Sequence, residues 1–120
     1  MESYKELVRD LRHPTRELRD AIPETWGGFA DMHQAAVADG VLSAKVKEMI
    51  ALAIAVAEGC DGCIGYHAAG AARRGATHDE VAEALGVALL MRGGPASVYA
   101  PMAMQAFEEW AGPREERESA

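Results

Sequence analysis

The twenty residues from Glu48 to His67, EMIALAIAVAEGCDGCIGYH, decide how the chain is read. Every residue between Glu48 and Glu58 is apolar, and Val46, Ile50, Ala53, Ile54 and Ala57 recur at helical spacing and are expected on the inner face. Ser43 stands where a helix N-cap is wanted, so the stretch predicts a helix running through Glu58. Gly59 interrupts it, and Cys60 or Asp61 opens a second helix that reaches about Arg74 and stops at Gly75. The chain has only two cysteines, and both fall here as Cys60-Asp61-Gly62-Cys63. Thiols separated by two residues can close a disulfide within one helical turn. His67, four residues after Cys63, lies on that thiol's side of the helix.

Outward from this segment the pattern stays helical. Tyr4, Leu7, Val8 and Leu11 mark a short amphipathic helix expected to stop near Pro14, and Thr15 to Ala21 form a second short piece ending before Pro23. Trp26, Phe29, Met32 and Ala36 mark a third helix that closes near Asp39-Gly40. Thr77 followed by Glu80 is a capping-box pattern, so a helix carrying Val81, Leu85, Ala88 and Leu89 begins there and breaks at Gly93-Gly94-Pro95. A last helix spans roughly Ser97 to Ala111, with Pro101 in its first turn or at a kink. There is no β-run and no internal repeat. The expected fold is all-α, a single helical domain over residues 1–112 followed by a flexible charged tail over 113–120.

Composition narrows the function classes. A formal charge of -7 repels phosphate backbones and anionic membranes, and the sequence shows no basic stripe to override that. Nucleic-acid and membrane partners are therefore not expected. The longest apolar run, Met49 to Ala57, is too short to span a bilayer. The opening MESYKELVRD has acidic residues and no signal-peptide core, so a reducing, cytoplasmic setting is the default expectation. There, a lone CxxC pair is more often catalytic or metal-binding than structural. Apolar content is carried by alanine more than by large side chains. Alanine-faced helices bury little area each, so burial against further copies of the chain is expected to supplement the core.

The chemistry of the pair follows from its place at a helix start. A free cysteine is mostly thiol near neutrality, and a helix N-terminus or an adjacent proton acceptor supplies reactive thiolate. His67 can take the Cys63 proton directly or through water. Glu48, on the preceding helix, can fold back to orient His67 or hold a water; a carboxylate on so apolar a helix needs a partner. A thiolate attacking a peroxide gives a sulfenic acid, which the second thiol condenses with to form a disulfide. An outside dithiol then restores the pair. By analogy with thioredoxin, Cys60 would attack first, whereas the nearest base, His67, pairs with Cys63; spacing alone leaves both orders open. A zinc site of Cys60, Cys63, His67 and Glu48 is chemically permissible, but structural zinc usually draws on two separated clusters and there is no second Cys/His pair. No metal and no cofactor are expected.

The pattern E-x11-C-x2-C-x3-H, met by Glu48, Cys60, Cys63 and His67, resembles that of the carboxymuconolactone decarboxylase and AhpD-like alkylhydroperoxidase family. The resemblance extends through GAARRGATHDEVAEAL and GGPASVYAPMAMQAFEEW, about the last three-quarters of the chain. It implies an all-helical AhpD-like fold assembled as trimers or as hexamers of paired trimers, the hexamer being favoured for so short a chain. In the peroxidase branch the cysteine matching Cys63 attacks peroxide, that matching Cys60 resolves it, and the residues matching Glu48 and His67 form a proton relay. The implied activity is alkylhydroperoxide reduction, with a small hydroperoxide as substrate and an external dithiol or disulfide reductase as donor. A general thiol-disulfide oxidoreductase and a non-enzymatic redox sensor are the alternatives. AhpD itself carries a histidine just before the second cysteine, where this chain has Gly62. The decarboxylase branch lacks the cysteine pair, which points away from lactone decarboxylation.

Other residues read more plainly. Tyr66 is expected as a core or interface aromatic, and His33 as half-buried packing with a lesser expectation of neighbouring the site. His78 is expected to face solvent and His13 to sit in a turn. Arg73 and Arg74 are explained by the negative end of a helix dipole. Gly93-Gly94 belongs to a tight helix-helix turn.

Overall fold

The computed structural model describes residues 1–115 and is helical throughout: α1 (Tyr4–Ala21), α2 (Pro23–Val37), α3 (Ala44–Glu58), α4 (Asp61–Arg73), α5 (His78–Arg92) and α6 (Gly94–Ala111). The expected charged tail falls partly outside this range, at residues 116–120. Within the range, the Arg114 guanidinium donates to the Asp79 carboxylate at 2.6 Å.

α4 is the hub. It packs against α1, α3 and α6, while α5 lies against α3 and α6. Small side chains permit this placement: Gly65, Ala68, Ala69, Gly70, Ala71 and Ala72 are all buried on α4. A Cβ added at Gly65 would come within 2.8 Å of Val8 Cγ2, so α1 rests almost directly on the α4 backbone. Leu52, Val56, Ile64, Val81 and Phe107 fill the space between the helices, each at most 1% exposed.

The capping signals act as the sequence predicts. The Ser43 hydroxyl accepts from the Val46 N–H at 3.2 Å. Thr77 and Glu80 form a full capping box, with Thr77 Oγ1 accepting from the Glu80 N–H and Glu80 Oε1 accepting from the Thr77 N–H. Lys45 also donates to Glu80 at 2.8 Å, joining α3 to the start of α5. Together these bonds hold the Glu80 carboxyl below its ordinary pKa. Gly59 closes α3 in the left-handed region at φ 68°, which only glycine enters cheaply, and so sets the turn into α4.

The inner face of α3 is formed by Glu48, Leu52, Ala55 and Val56, whereas Ile50 and Ile54 are exposed, so the expected face is turned about the helix axis. Four further expectations change. α1 does not stop at Pro14 but runs through it to Ala21. Asp10 and Pro14 are both exposed, so the carbonyl that proline leaves without a helical partner faces water. His13 Nε2 lies 2.9 Å from Glu17 Oε1, spanning the proline, so His13 is a helical residue rather than a turn residue. The unbroken helix also aligns Lys5, Arg9, Arg12, Arg16 and Arg19 along one exposed flank, a basic line that two separate pieces would have divided. Helix starts move as well: α2 begins at Pro23 and α6 at Gly94, each using proline in its first turn where no N–H is needed.

His78 is the fourth change. It is 1% exposed, its ring meets Phe107 edge-on at 5.2 Å, and Nε2 lies 3.1 Å from the Gly112 carbonyl. Its position explains this, since His78, Val81, Leu85 and Ala88 share the inner stripe of α5.

Candidate functional site

The first turn of α4 is built around its cysteines. Cys60 is the N-cap residue, and its sulfur accepts from the Cys63 backbone N–H at 3.2 Å. The two are joined as a disulfide with Cα atoms 5.3 Å apart. Cys63 is exposed and Cys60 only partly so, which makes the second cysteine the more accessible of the two. Asp61, at the first helical position, accepts a hydrogen bond from the Tyr4 hydroxyl at 3.0 Å and ties α1 to this turn. Tyr4 is 5% exposed. Burial, reinforced by the Asp61 hydrogen bond and charge, pushes the Tyr4 phenol above its ordinary pKa. The Glu109 carboxylate accepts from the N–H groups of Tyr4 and Lys5, both at 3.0 Å, fixing the start of α1 in turn.

One turn beyond Cys63, His67 Nδ1 lies 3.2 Å from Glu48 Oε2. Glu48 reaches across from α3 and is only 6% exposed. The pairing supplies what a buried carboxylate requires, a hydrogen-bonding partner. Because the carboxylate accepts, the bond places a hydrogen on Nδ1 and leaves Nε2 to face other groups. The structure thus pairs Glu48 with His67 between α3 and α4 and joins Cys60 to Cys63 at the head of α4, one helical turn before His67.

Two contributors carry no signal in the site motif itself. Gly70 lies one turn past His67, and a Cβ there would overlap the Glu48 carboxylate. Its absence makes the room into which Glu48 folds. His33, on α2, is exposed and not the half-buried packing residue expected, and it places its ring 6.0 Å from the His67 ring with the planes 27° apart. Among the other residues, Tyr66 is 43% exposed, so it is not a core aromatic of this chain. Tyr99, Met102, Met104 and Trp110 pack against the chain's own core. The large apolar side chains left uncovered include Phe29, Met32, Val87, Leu90, Met91 and Val98. Among the described residues, no group of three or more His, Cys, Asp and Glu side chains is placed to hold a metal ion. No helix among them is long and apolar enough to cross a membrane.

The core is all-helical, with a cysteine pair at the head of its central helix and a Glu–His pair between that helix and α3, an arrangement consistent with thiol-based redox chemistry. The model of the carboxymuconolactone decarboxylase family matches residues 23–108, and the chain belongs to that family. A carboxymuconolactone decarboxylase family protein from Legionella pneumophila, solved in its apo form, superposes with a TM-score of 0.87. It is 42% identical, with 90% of this chain and 96% of that one covered. An uncharacterized protein from Cupriavidus necator is 42% identical over 104 residues, 87% of this chain and 92% of its own. A protein of the cox locus of Paracoccus denitrificans is 38% identical over 81 residues, 68% of this chain and 73% of its own.

Proposed function

We propose that the protein is a thiol-dependent reductase of alkyl hydroperoxides, with Cys63 as the attacking thiol, Cys60 as the resolving thiol, and His67 and Glu48 as the proton relay. The observation that carries this reading is the Glu48–His67 hydrogen bond, set one helical turn from the exposed residue of a cysteine pair.

In the reduced enzyme, His67 removes the Cys63 proton at Nε2, while Glu48 holds the opposite ring nitrogen and balances the developing charge. The thiolate attacks the terminal peroxide oxygen. The O–O bond breaks, the alkoxide leaves as alcohol with a proton from the relay, and Cys63 becomes a sulfenic acid. The Cys60 thiolate, favoured by the Cys63 N–H at the helix N-terminus, attacks the Cys63 sulfur and expels hydroxide, which leaves as water once protonated. The resulting disulfide is the bond present between the two cysteines.

Turnover requires two electrons from an external dithiol. Its thiolate attacks the sulfur of the exposed Cys63, and Cys60 departs as a thiolate into the hydrogen bond that already holds it. The second donor thiol then releases the mixed disulfide. The exposed Cys63 equally suits exchange with a disulfide substrate, which keeps a general thiol-disulfide oxidoreductase as the second reading.

A single-turnover titration tests the proposal. One equivalent of cumene hydroperoxide should remove both titratable thiols of each reduced chain and release one equivalent of alcohol. Thiols that survive the peroxide but exchange rapidly with a model disulfide would support the second reading instead.

A further inference from the structure

His67 is held in its ring plane by Glu48, yet an in-plane hydrogen bond leaves the ring's tilt about that bond unrestrained. The face of the ring is met by a different helix. His33 approaches from α2 with ring centroids 6.0 Å apart and the planes 27° from parallel. It is the last member of a ladder along α2, in which Trp26 meets Phe29 at 5.9 Å and Phe29 meets His33 at 6.4 Å. α2 has no buried residue, so core packing does not account for the ladder. Its terminal ring is instead brought to the residue that receives the thiol proton.

We propose that His33 is a positioning residue for the Cys63 proton relay, covering one face of His67 and favouring the imidazolium that His67 becomes. The proposal rests on the reading of His67 as proton acceptor. When the Cys63 S–H bond breaks, the electron pair stays on sulfur and the proton binds His67 Nε2. The ring then carries a full positive charge. While the His33 ring is uncharged, its face about 6 Å from that cation attracts it through the ring quadrupole. Glu48 holds a ring nitrogen of the imidazolium and His33 stacks on the ring, so the two contacts differ in kind and together limit how the ring can turn.

The test uses reduced protein in a Cys60→Ser background, where Cys63 is the sole thiol and serine preserves the N-cap. Alkylation by iodoacetamide, followed between about pH 5 and 9, reads thiolate directly and requires no peroxide turnover. His33→Ala should slow alkylation near neutral pH roughly two- to five-fold and move the profile to higher pH, the factor expected for losing an exposed cation–π contact. His33→Phe, which keeps a ring face, should stay close to the parent. Because His33 is exposed, both variants should retain the parent's circular dichroism. A His33→Ala profile that superimposes on the parent, or a His33→Phe variant as slow as alanine, would overturn the proposal. His67→Gln separates the two levels of the argument. If it slows alkylation while His33→Ala does not, His33 alone loses its role; if it too changes nothing, the relay itself falls and His33 with it.

Discussion

The Glu48 carboxylate occupies the space that a Cβ on Gly70 would need. A glycine on one helix thereby decides whether a carboxylate from another can reach the histidine one turn away. Gly70→Ala should force Glu48 out of its bond with His67. The net cost should be about 1–3 kcal/mol in overpacking, despite the ~1 kcal/mol that alanine ordinarily gains over glycine within a helix. Loss of the oriented relay should lower peroxide attack by at least about ten-fold. Gly86→Ala is the matched control, because Gly86 is also helical and nothing lies within 4 Å of a Cβ built there. It should be neutral or stabilising. Urea unfolding of both variants checks the contrast, and a Gly70→Ala protein as stable and active as wild type would refute the packing account.

Much of this arrangement is legible in the sequence because local chemistry writes it there. The caps at Ser43 and Thr77, the stop at Gly59 and the cysteines at a helix start each follow from neighbouring residues. The need of Glu48 for a partner follows from its apolar surroundings. What is not legible depends on which surface meets which. Gly70 leaves no mark in its own helix, since its role is space for a side chain from α3. Pro14 costs little because its turn faces water, a fact set by how α1 docks. His78 was readable, since it shares the inner stripe with Val81 and Leu85, but its place at the cap favoured a solvent-facing reading.

Tyr4 predicts a specific alkaline weakness. Its folded pKa is raised by burial and by Asp61, whereas in the unfolded chain the phenol titrates near its ordinary value of about 10. The stability contributed by the protonated phenol is therefore fully present below about pH 10 and is lost as pH rises from there toward the folded value. Tyr4→Phe should cost roughly 1–2 kcal/mol at neutral pH through the lost bond to Asp61. It should also flatten the fall in stability above pH 10. Denaturant midpoints measured at neutral and alkaline pH decide this, and equal alkaline slopes in the two proteins would count against the role of Tyr4.

The order of the cysteines yields opposite phenotypes. Cys63→Ser should abolish peroxide attack. Cys60→Ser should still react once and stop at a sulfenic acid that dimedone traps on Cys63. A sulfenic acid formed on Cys60 in the Cys63→Ser protein, at wild-type speed, would reverse the order.

Assembly is expected from the uncovered apolar side chains, notably Phe29 and Met32 on α2 and Leu90 and Met91 at the end of α5. We propose a closed homo-oligomer, a hexamer or a trimer, as the means of covering them. Light scattering at micromolar concentration should return six or three times the chain mass, without a stably folded monomer on dilution. A well-folded monomer under those conditions would remove the assembly proposal.

The central claim is catalytic reduction of peroxide by the Cys60–Cys63 pair under the Glu48–His67 relay. Its most direct test is steady-state consumption of cumene hydroperoxide and hydrogen peroxide, with thioredoxin-like and lipoyl dithiol donors compared side by side. The account predicts multiple turnovers with at least one donor, lost entirely in Cys63→Ser and reduced about 100-fold or more in His67→Gln, the range of general acid–base catalysis. No peroxide consumption above the donor-only background with any of the donors would contradict it.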